Sequence, residues 1–216
     1  KALLSALPEP SHYIAIDISK SHLISTAKEI ASNYNNISVA AICADFMEPI
    51  EWPEKVHFQS LKRLAFFPGS TIGNLSRSEA SQFLKYVRNL VGDEGTFIIG
   101  VDMKKDADIF NQAYNDAEGH TAAFNLNLLH RMKNELDADI NIPEFSHKAF
   151  YNEKLGRVEM HLVSDIEQVI KIDSLEFSFE KAESIHTECS YKYSVSEFSD
   201  LAKKSGFSVL KNWSDK

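Results

Sequence analysis

The chain has 216 residues, a net charge of −8 and a hydrophobic fraction of 44%, which suits one large domain or one domain with an insertion and excludes a mainly disordered chain. No basic run exceeds two residues, so a nucleic-acid footprint is not expected, and no stretch reaches the ~18 apolar residues of a membrane span. Cys43 and Cys189 are too few for a disulfide framework and suit a reducing cytosol, and with no secretory signal pattern visible a cytoplasmic location is expected.

Residues Lys1 to Leu7 read as the end of a helix, and His12 to Asp17 as a short apolar strand closed by a carboxylate. Lys20 to Tyr34 has helical spacing, with Leu23, Ala27, Ile30 and Ala31 on one face. Ile37 to Ile42 is a second strand, closed by Ala44-Asp45-Phe46, and Leu61 to Phe67 a third. Glu79 to Val91 is helical, and Gly92-Asp93-Glu94-Gly95 turns into a strand over Thr96 to Val101. This alternation predicts a doubly wound α/β domain. Two helices are predicted next, Asp106 to Asp116 and Thr121 to Leu136, the second with Phe124, Leu128, Leu129 and Met132 as its apolar positions. Beyond Pro143 the pattern turns extended: Ala149 to Asn152, Arg157 to Ser164, Glu167 to Ile172 and Leu175 to Glu180 read as an antiparallel meander. Ser194 to Lys204 returns to helix and Phe207 to Trp213 to strand. Residues 103–190 therefore read as a subdomain inserted into a domain made of 1–102 and 191–216.

The segment Phe66-Phe67-Pro68-Gly69-Ser70-Thr71-Ile72-Gly73-Asn74 leaves the carboxyl end of a buried strand, where open α/β sheets bind ligands. Gly69 and Gly73 allow close backbone approach or a positive φ, and Asn74 offers both a donor and an acceptor. The plainer reading is a strand-to-helix turn, with Asn74 or Ser76 capping a helix that begins near Arg77. Asp17 ends its strand where an acid can take the hydroxyls of a ribose, and Asp45 with Phe46 suits an adenine, the acid on its amine and the ring on its face. Either acid alone is an ordinary strand-ending residue; the pair points to an adenosyl cofactor, a dinucleotide or S-adenosylmethionine. No glycine-rich cofactor turn precedes Asp17, so the first strand and that loop are expected upstream of residue 1, and a final strand is expected beyond Lys216. His120, His130, His147, His161 and His186 show no ligand spacing, and no metal is expected.

Several separate motifs then occur in order: Phe67-Pro68-Gly69-Ser70-Thr71-Ile72-Gly73-Asn74, Tyr114-Asn115-Asp116, Thr121-Ala122-Ala123-Phe124-Asn125-Leu126-Asn127, Ala149-Phe150-Tyr151-Asn152, Arg157-Val158-Glu159-Met160-His161-Leu162 and Ile185-His186-Thr187-Glu188-Cys189-Ser190-Tyr191-Lys192-Tyr193. Together they make the chain resemble the histidine Nα-methyltransferases of ergothioneine biosynthesis along essentially its whole length. The resemblance implies a Rossmann-like class I methyltransferase sheet, here truncated at both ends, with an inserted α+β substrate-binding subdomain. It also implies S-adenosylmethionine as cofactor and transfer of methyl groups to the α-amino group of histidine, giving hercynine.

Position by position, the resemblance makes Asp17 the ribose-binding acid and Asp45 with Phe46 the adenine contact. It gives Gly69 and Asn74 the amino and carboxylate groups of the substrate, and Tyr114 a second contact to the carboxylate. Glu188 and Ser190 grip the imidazole, and Met160 lines the same pocket. Without the upstream loop, the chain by itself is expected to bind the cofactor poorly. The wider family also methylates the amine of a prenylated tryptophan, but an indole offers one donor and no acceptor, so Glu188 with Ser190 favours histidine. From other classes, the α/β pattern and Asp17 alone are compatible with a dinucleotide-dependent oxidoreductase, and the fold alone with a non-catalytic scaffold domain.

Overall fold

The computed structural model describes residues 1–8, 10–50, 52 and 62–214. The chain divides into two compact units, Lys1–Leu61 and Lys62–Lys216.

The first unit contains α1 (Ala2–Ala6), β1 (His12–Asp17), α2 (Lys20–Asn33) and β2 (Ser38–Cys43). Leu23, Ala27 and Ile30 recur at helical spacing and are the buried residues of α2. β1 and β2 pair in parallel from His12–Ser38 to Asp17–Cys43, so the two strands and α2 form one βαβ unit.

The second unit opens with another βαβ unit: β3 (Leu64–Phe67), α3 (Arg77–Val91) and β4 (Thr96–Ile99), with Leu64 to Phe67 paired in parallel on Thr96 to Ile99. Leu61, at the start of the third predicted strand, lies outside the described residues. Of the two capping candidates, Ser76 starts α3: its Oγ accepts from Glu79 N at 3.2 Å while Ser76 N donates to Glu79 Oε2 at 2.7 Å, a reciprocal capping box. Ala80, Phe83, Leu84, Val87 and Val91 are the buried face of α3.

Next come α4 (Ala107–Tyr114) and α5 (His120–Glu135), then β5 (Phe145–Asn152), β6 (Arg157–Ser164), β7 (Gln168–Ile172), β8 (Leu175–Phe179), β9 (Ser184–Tyr191) and α6 (Val195–Lys204). The extended segments are not one meander. β5, β6 and β9 form an antiparallel sheet in that order, while β7 and β8 form a separate hairpin between β6 and β9, its turn held by Asp173 at φ 54. Residues 207–213, predicted as a strand, pair with no strand among the described residues, and Leu210 and Trp213 are exposed there.

The sheet has two distinct faces. Phe145, His147 and Ala149 of β5 share one with Val158, Met160 and Leu162 of β6, and α4 and α5 pack against β5 there. One core cluster there joins Leu129, Phe145 and Leu162; another joins Phe110, Ala149, Val158 and Met160. α5 turns Asn125 and Leu129 inward rather than its whole predicted apolar set, leaving Phe124 65% exposed. The buried amide is fully employed: Asn125 Nδ2 donates to His161 O at 3.1 Å and contacts His147 Nδ1 at 3.0 Å, and Oδ1 accepts from Thr187 Oγ1 at 2.7 Å.

β9 carries a bulge. Met160 pairs with Glu188 but His161 pairs with His186, so Thr187 is the extra residue and its hydroxyl also reaches Met160 O at 2.9 Å. The bulge places Ile185, Glu188 and Ser190 on the face shared by Leu162, Met160 and Val158.

Candidate active site

The loop after β3 turns on two successive left-handed residues, Gly69 at φ 75 and Ser70 at φ 59, and continues as a short 3-10 helix over Thr71–Asn74. Ser70 Oγ accepts from Asp102 N at 2.7 Å, tying this loop to the segment after β4. Gly73 is where the loop meets β9: a Cβ there would stand 2.9 Å from Tyr191 O and 3.3 Å from Ser190 Oγ, so only glycine permits the approach. Asn74 follows at once and is exposed.

The Tyr114-Asn115-Asp116 motif has three separate jobs. Asn115 acts as a surrogate strand for β5, accepting from Ala149 N at 3.1 Å and donating to Ala149 O at 2.9 Å. Asp116 bonds the Thr121 side chain and accepts from the backbone N–H groups of Thr121 and His120 at the start of α5, and these bonds, the Thr121 side chain's first, hold its carboxyl far below the usual range. Both fix the end of α4, from which the Tyr114 hydroxyl reaches Lys192.

Lys192 is the centre of the arrangement. It is 1% exposed, and its ammonium donates to Asp102 Oδ2 at 2.7 Å, Tyr114 Oη at 3.0 Å and Ser190 Oγ at 3.0 Å. The rings of Phe110 and Tyr114 lie 5.1 and 5.0 Å from Nζ. Burial pushes the Asp102 carboxyl up, but its bond to Lys192 and the charges of Lys192 and Lys105 outweigh that and hold it below the usual range. Arg77 steadies the same segment, with Nη2 donating to Lys192 O at 3.1 Å and its guanidinium 3.8 Å above the Tyr193 ring.

Beside this centre, Glu188 and Ser190 project from β9 on the face of Met160, which is 4% exposed and packs on Phe110, Ala149 and Val158. Burial holds the Glu188 carboxyl above the usual range. Tyr114, Met160, Glu188, Ser190 and the turn at Gly69 to Asn74 are thus built on one continuous framework. Lys192, Asp102 and Ser70 were not singled out from sequence; the available signal was the alternation Glu188-x-Ser190-x-Lys192, which puts three polar side chains on one face of an extended segment.

The opposite face of the sheet gathers Arg157, Glu159, His161, His186 and Cys189. The ligand atoms of Glu159, His161 and His186 lie within 4.8 Å of one another. Glu159 is already engaged, by Arg157 and Asn152 on Oε1 and by His161 on Oε2, and the two imidazoles stack at 4.7 Å with an interplanar angle of 10°. Parallel rings direct their in-plane lone pairs side by side rather than toward one point, and Arg157 adds a positive charge, so the cluster suits an ion-pair network better than a cation site.

In the first unit, Asp17 and Asp45 stand at and just beyond the carboxyl ends of the adjacent parallel strands β1 and β2, and both are exposed. Each turns its own loop, Asp17 Oδ1 accepting from Ser19 N at 2.7 Å and Asp45 Oδ1 from Met47 N at 2.8 Å, with Phe46 between Asp45 and Met47. Their positions suit the two polar ends of an adenosine. Among the described residues, no helix is long and apolar enough to cross a membrane.

A family described as "Histidine-specific methyltransferase, SAM-dependent" matches residues 1–216. Histidine N-alpha-methyltransferase of Mycobacterium tuberculosis is 32% identical over 206 residues, which cover 94% of this chain and 63% of that protein. The enzyme of the same name from Mycolicibacterium smegmatis is 32% identical over 205 residues, with the same coverage. A 4-dimethylallyltryptophan N-methyltransferase of Claviceps purpurea is 29% identical over 223 residues, covering 94% of this chain and 64% of that enzyme. The chain therefore spans 63% of the length of the two mycobacterial relatives.

Proposed function

Because the chain belongs to the histidine-specific, S-adenosylmethionine-dependent methyltransferase family, we propose that the protein it represents methylates the α-amino group of L-histidine to give the trimethylated betaine hercynine. The observation that carries the reading is the pairing of Glu188 and Ser190 on one face of β9, next to Met160, with Ser190 joined through Lys192 to Tyr114. A neutral imidazole carries one N–H donor and one acceptor nitrogen, which Glu188 and Ser190 complement; an indole lacks the acceptor.

In this reading residues 103–190 form the substrate-binding subdomain. The Tyr114 hydroxyl donates to the substrate carboxylate, and Asn74 and the backbone at Gly69 hold the amino-acid end. Asp17 takes the ribose hydroxyls of S-adenosylmethionine, and Asp45 with Phe46 takes the adenine. The cofactor supplies an activated methyl group on a sulfonium, so the side chains of this chain need only orient the neutral amine and exclude competing poses. Methyl transfer releases a proton from the amine at each of the first two steps, which passes to solvent.

The test is mass-spectrometric detection of hercynine after full-length protein is incubated with S-adenosylmethionine and L-histidine. Absence of product, with methylation seen instead when L-tryptophan or a prenylated tryptophan replaces histidine, overturns the histidine reading. Glu188→Ala should weaken histidine binding by about 1–3 kcal/mol, since it leaves a ring N–H unpaired, while cofactor affinity is retained. Calorimetry showing the reverse pattern would refute the role given to Glu188.

A further inference from the structure

A lysine that is 1% exposed, with its three N–H bonds directed at Asp102, Tyr114 and Ser190, does more than neutralise an acid. A hydroxyl that accepts from an ammonium must send its own hydrogen elsewhere, and the adjacent positive charge makes its remaining lone pair a poor acceptor. Tyr114 and Ser190 are both in that position, each 3.0 Å from the same nitrogen. The nitrogen itself has no bond left to give, and Asp102, held by Ser70 through its backbone, keeps it from turning toward the ligand.

We propose that Lys192 is a positioning residue that makes Tyr114 and Ser190 obligate hydrogen-bond donors toward the bound amino acid. The consequence is a selection rule: a carboxylate meets the phenol, and a ring nitrogen bearing a lone pair meets the serine. A neutral imidazole satisfies Ser190 as acceptor while giving its N–H to Glu188. An indole leaves the Ser190 hydrogen unpaired, so part of the discrimination against tryptophan originates in Lys192, which touches neither ring. This inference rests on the reading of the site as a histidine site.

The test uses full-length protein, titrated with S-adenosylhomocysteine and then with L-histidine or L-tryptophan, alongside steady-state kinetics. Lys192→Met should lower histidine affinity about ten- to a hundredfold, the loss of one or two charge-assisted contacts, with KM rising far more than kcat falls. The ratio of histidine to tryptophan affinity should fall with it, while S-adenosylhomocysteine binding is retained, and Lys192→Gln, which keeps two N–H donors, should fall between. In a Tyr114→Phe/Ser190→Ala background, Lys192→Met should have no further effect on histidine affinity. A folded Lys192→Met that keeps the parental ratio overturns the proposal, as does an equal loss in the double-variant background, which would mark a merely structural lysine. Should Lys192→Met not fold, Ser190→Ala decides: an unchanged histidine-to-tryptophan ratio overturns the proposal. A parent protein that binds S-adenosylhomocysteine but not histidine overturns instead the substrate reading beneath it.

Discussion

Alanine at Gly73 tests whether the loop after β3 and strand β9 are held together by a contact that excludes even one methyl group. The added Cβ would lie 2.9 Å from the Tyr191 carbonyl oxygen and 3.3 Å from Ser190 Oγ. The nearer neighbour is backbone, and Tyr191 is fixed by its pairing with Arg157, so it has no flexible end to move aside. Gly73 sits in a helical turn where alanine is conformationally acceptable, so the cost is steric: about 1–3 kcal/mol for overpacking a tight contact. For a chain of this size each kcal/mol lowers the melting temperature by about 2–4 °C. The displacement falls on Ser190, so histidine affinity should drop as well. Gly69→Ala is the control. Its φ of 75 strains any side chain, by about 1–2 kcal/mol, but its Cβ would meet nothing nearer than Thr71 Oγ1 at 4.0 Å. Gly69→Asn should therefore recover part of the loss, whereas Ser190→Gly should not rescue Gly73→Ala, because the backbone oxygen remains. Thermal melting and calorimetric titration of full-length protein check both; a Gly73→Ala protein that melts and binds histidine like the parent refutes the steric argument.

Asn125→Ala should be costly for its size, because it strands the His161 carbonyl and the His147 nitrogen in a buried site; about 1–3 kcal/mol is expected for each group left unpaired, read as a lower urea midpoint at an unchanged slope. Ser76→Ala removes half of the capping box of α3 and should cost about 0.5–2 kcal/mol by the same measurement. Glu188→Gln tests pH dependence. Burial raises the folded-state pKa of Glu188, so folding favours its protonated form. Below the unfolded value, about 4.3, both states are protonated and the acid carries no electrostatic penalty; as pH rises through the folded value, the native state must hold a desolvated carboxylate and stability is lost. The glutamine variant should match the parent near about pH 4 and melt higher near about pH 8. A parent that melts higher than the variant in the absence of ligand at the upper pH would contradict this.

Elements whose periodicity and end signals agree were legible from sequence. Arg157–Ser164 is a strand over its predicted bounds, and Ser76, one of the two cap candidates, starts α3 at Arg77 as expected. β9 escaped because it is mostly polar and because the bulge at Thr187 breaks the two-residue alternation that identifies a strand. The inward face of α5 was misjudged because Asn125, an amide, outranks Phe124 for burial once its partners on β6 and β9 exist, and those partners are 36 and 62 residues away. The same distance hid Lys192: a lysine is by default a surface residue, and what buries this one lies 78 and 90 residues earlier, in Tyr114 and Asp102. Tyr114, Glu188 and Ser190 are marked by family motifs rather than by local physics, and the lysine that joins two of them is marked in sequence only by its alternation with Glu188 and Ser190.

Three positions separate Ile185, which packs against the core around Leu162, from Glu188, which stands beside Met160 on the same side of the sheet. Strict alternation forbids an odd spacing between two side chains on one side; Thr187 absorbs that parity error. What β9 must preserve at this point is therefore its length rather than a particular chemistry. Thr187→Ser keeps the backbone count and the hydroxyl and leaves both ends in phase. Deleting the residue keeps every neighbour's identity yet forces a choice: either Ile185 is turned out of the core, or Glu188 and Ser190 are turned away from Met160. A one-residue deletion here would act as a sign change on half a strand, and no substitution elsewhere in β9 could undo it.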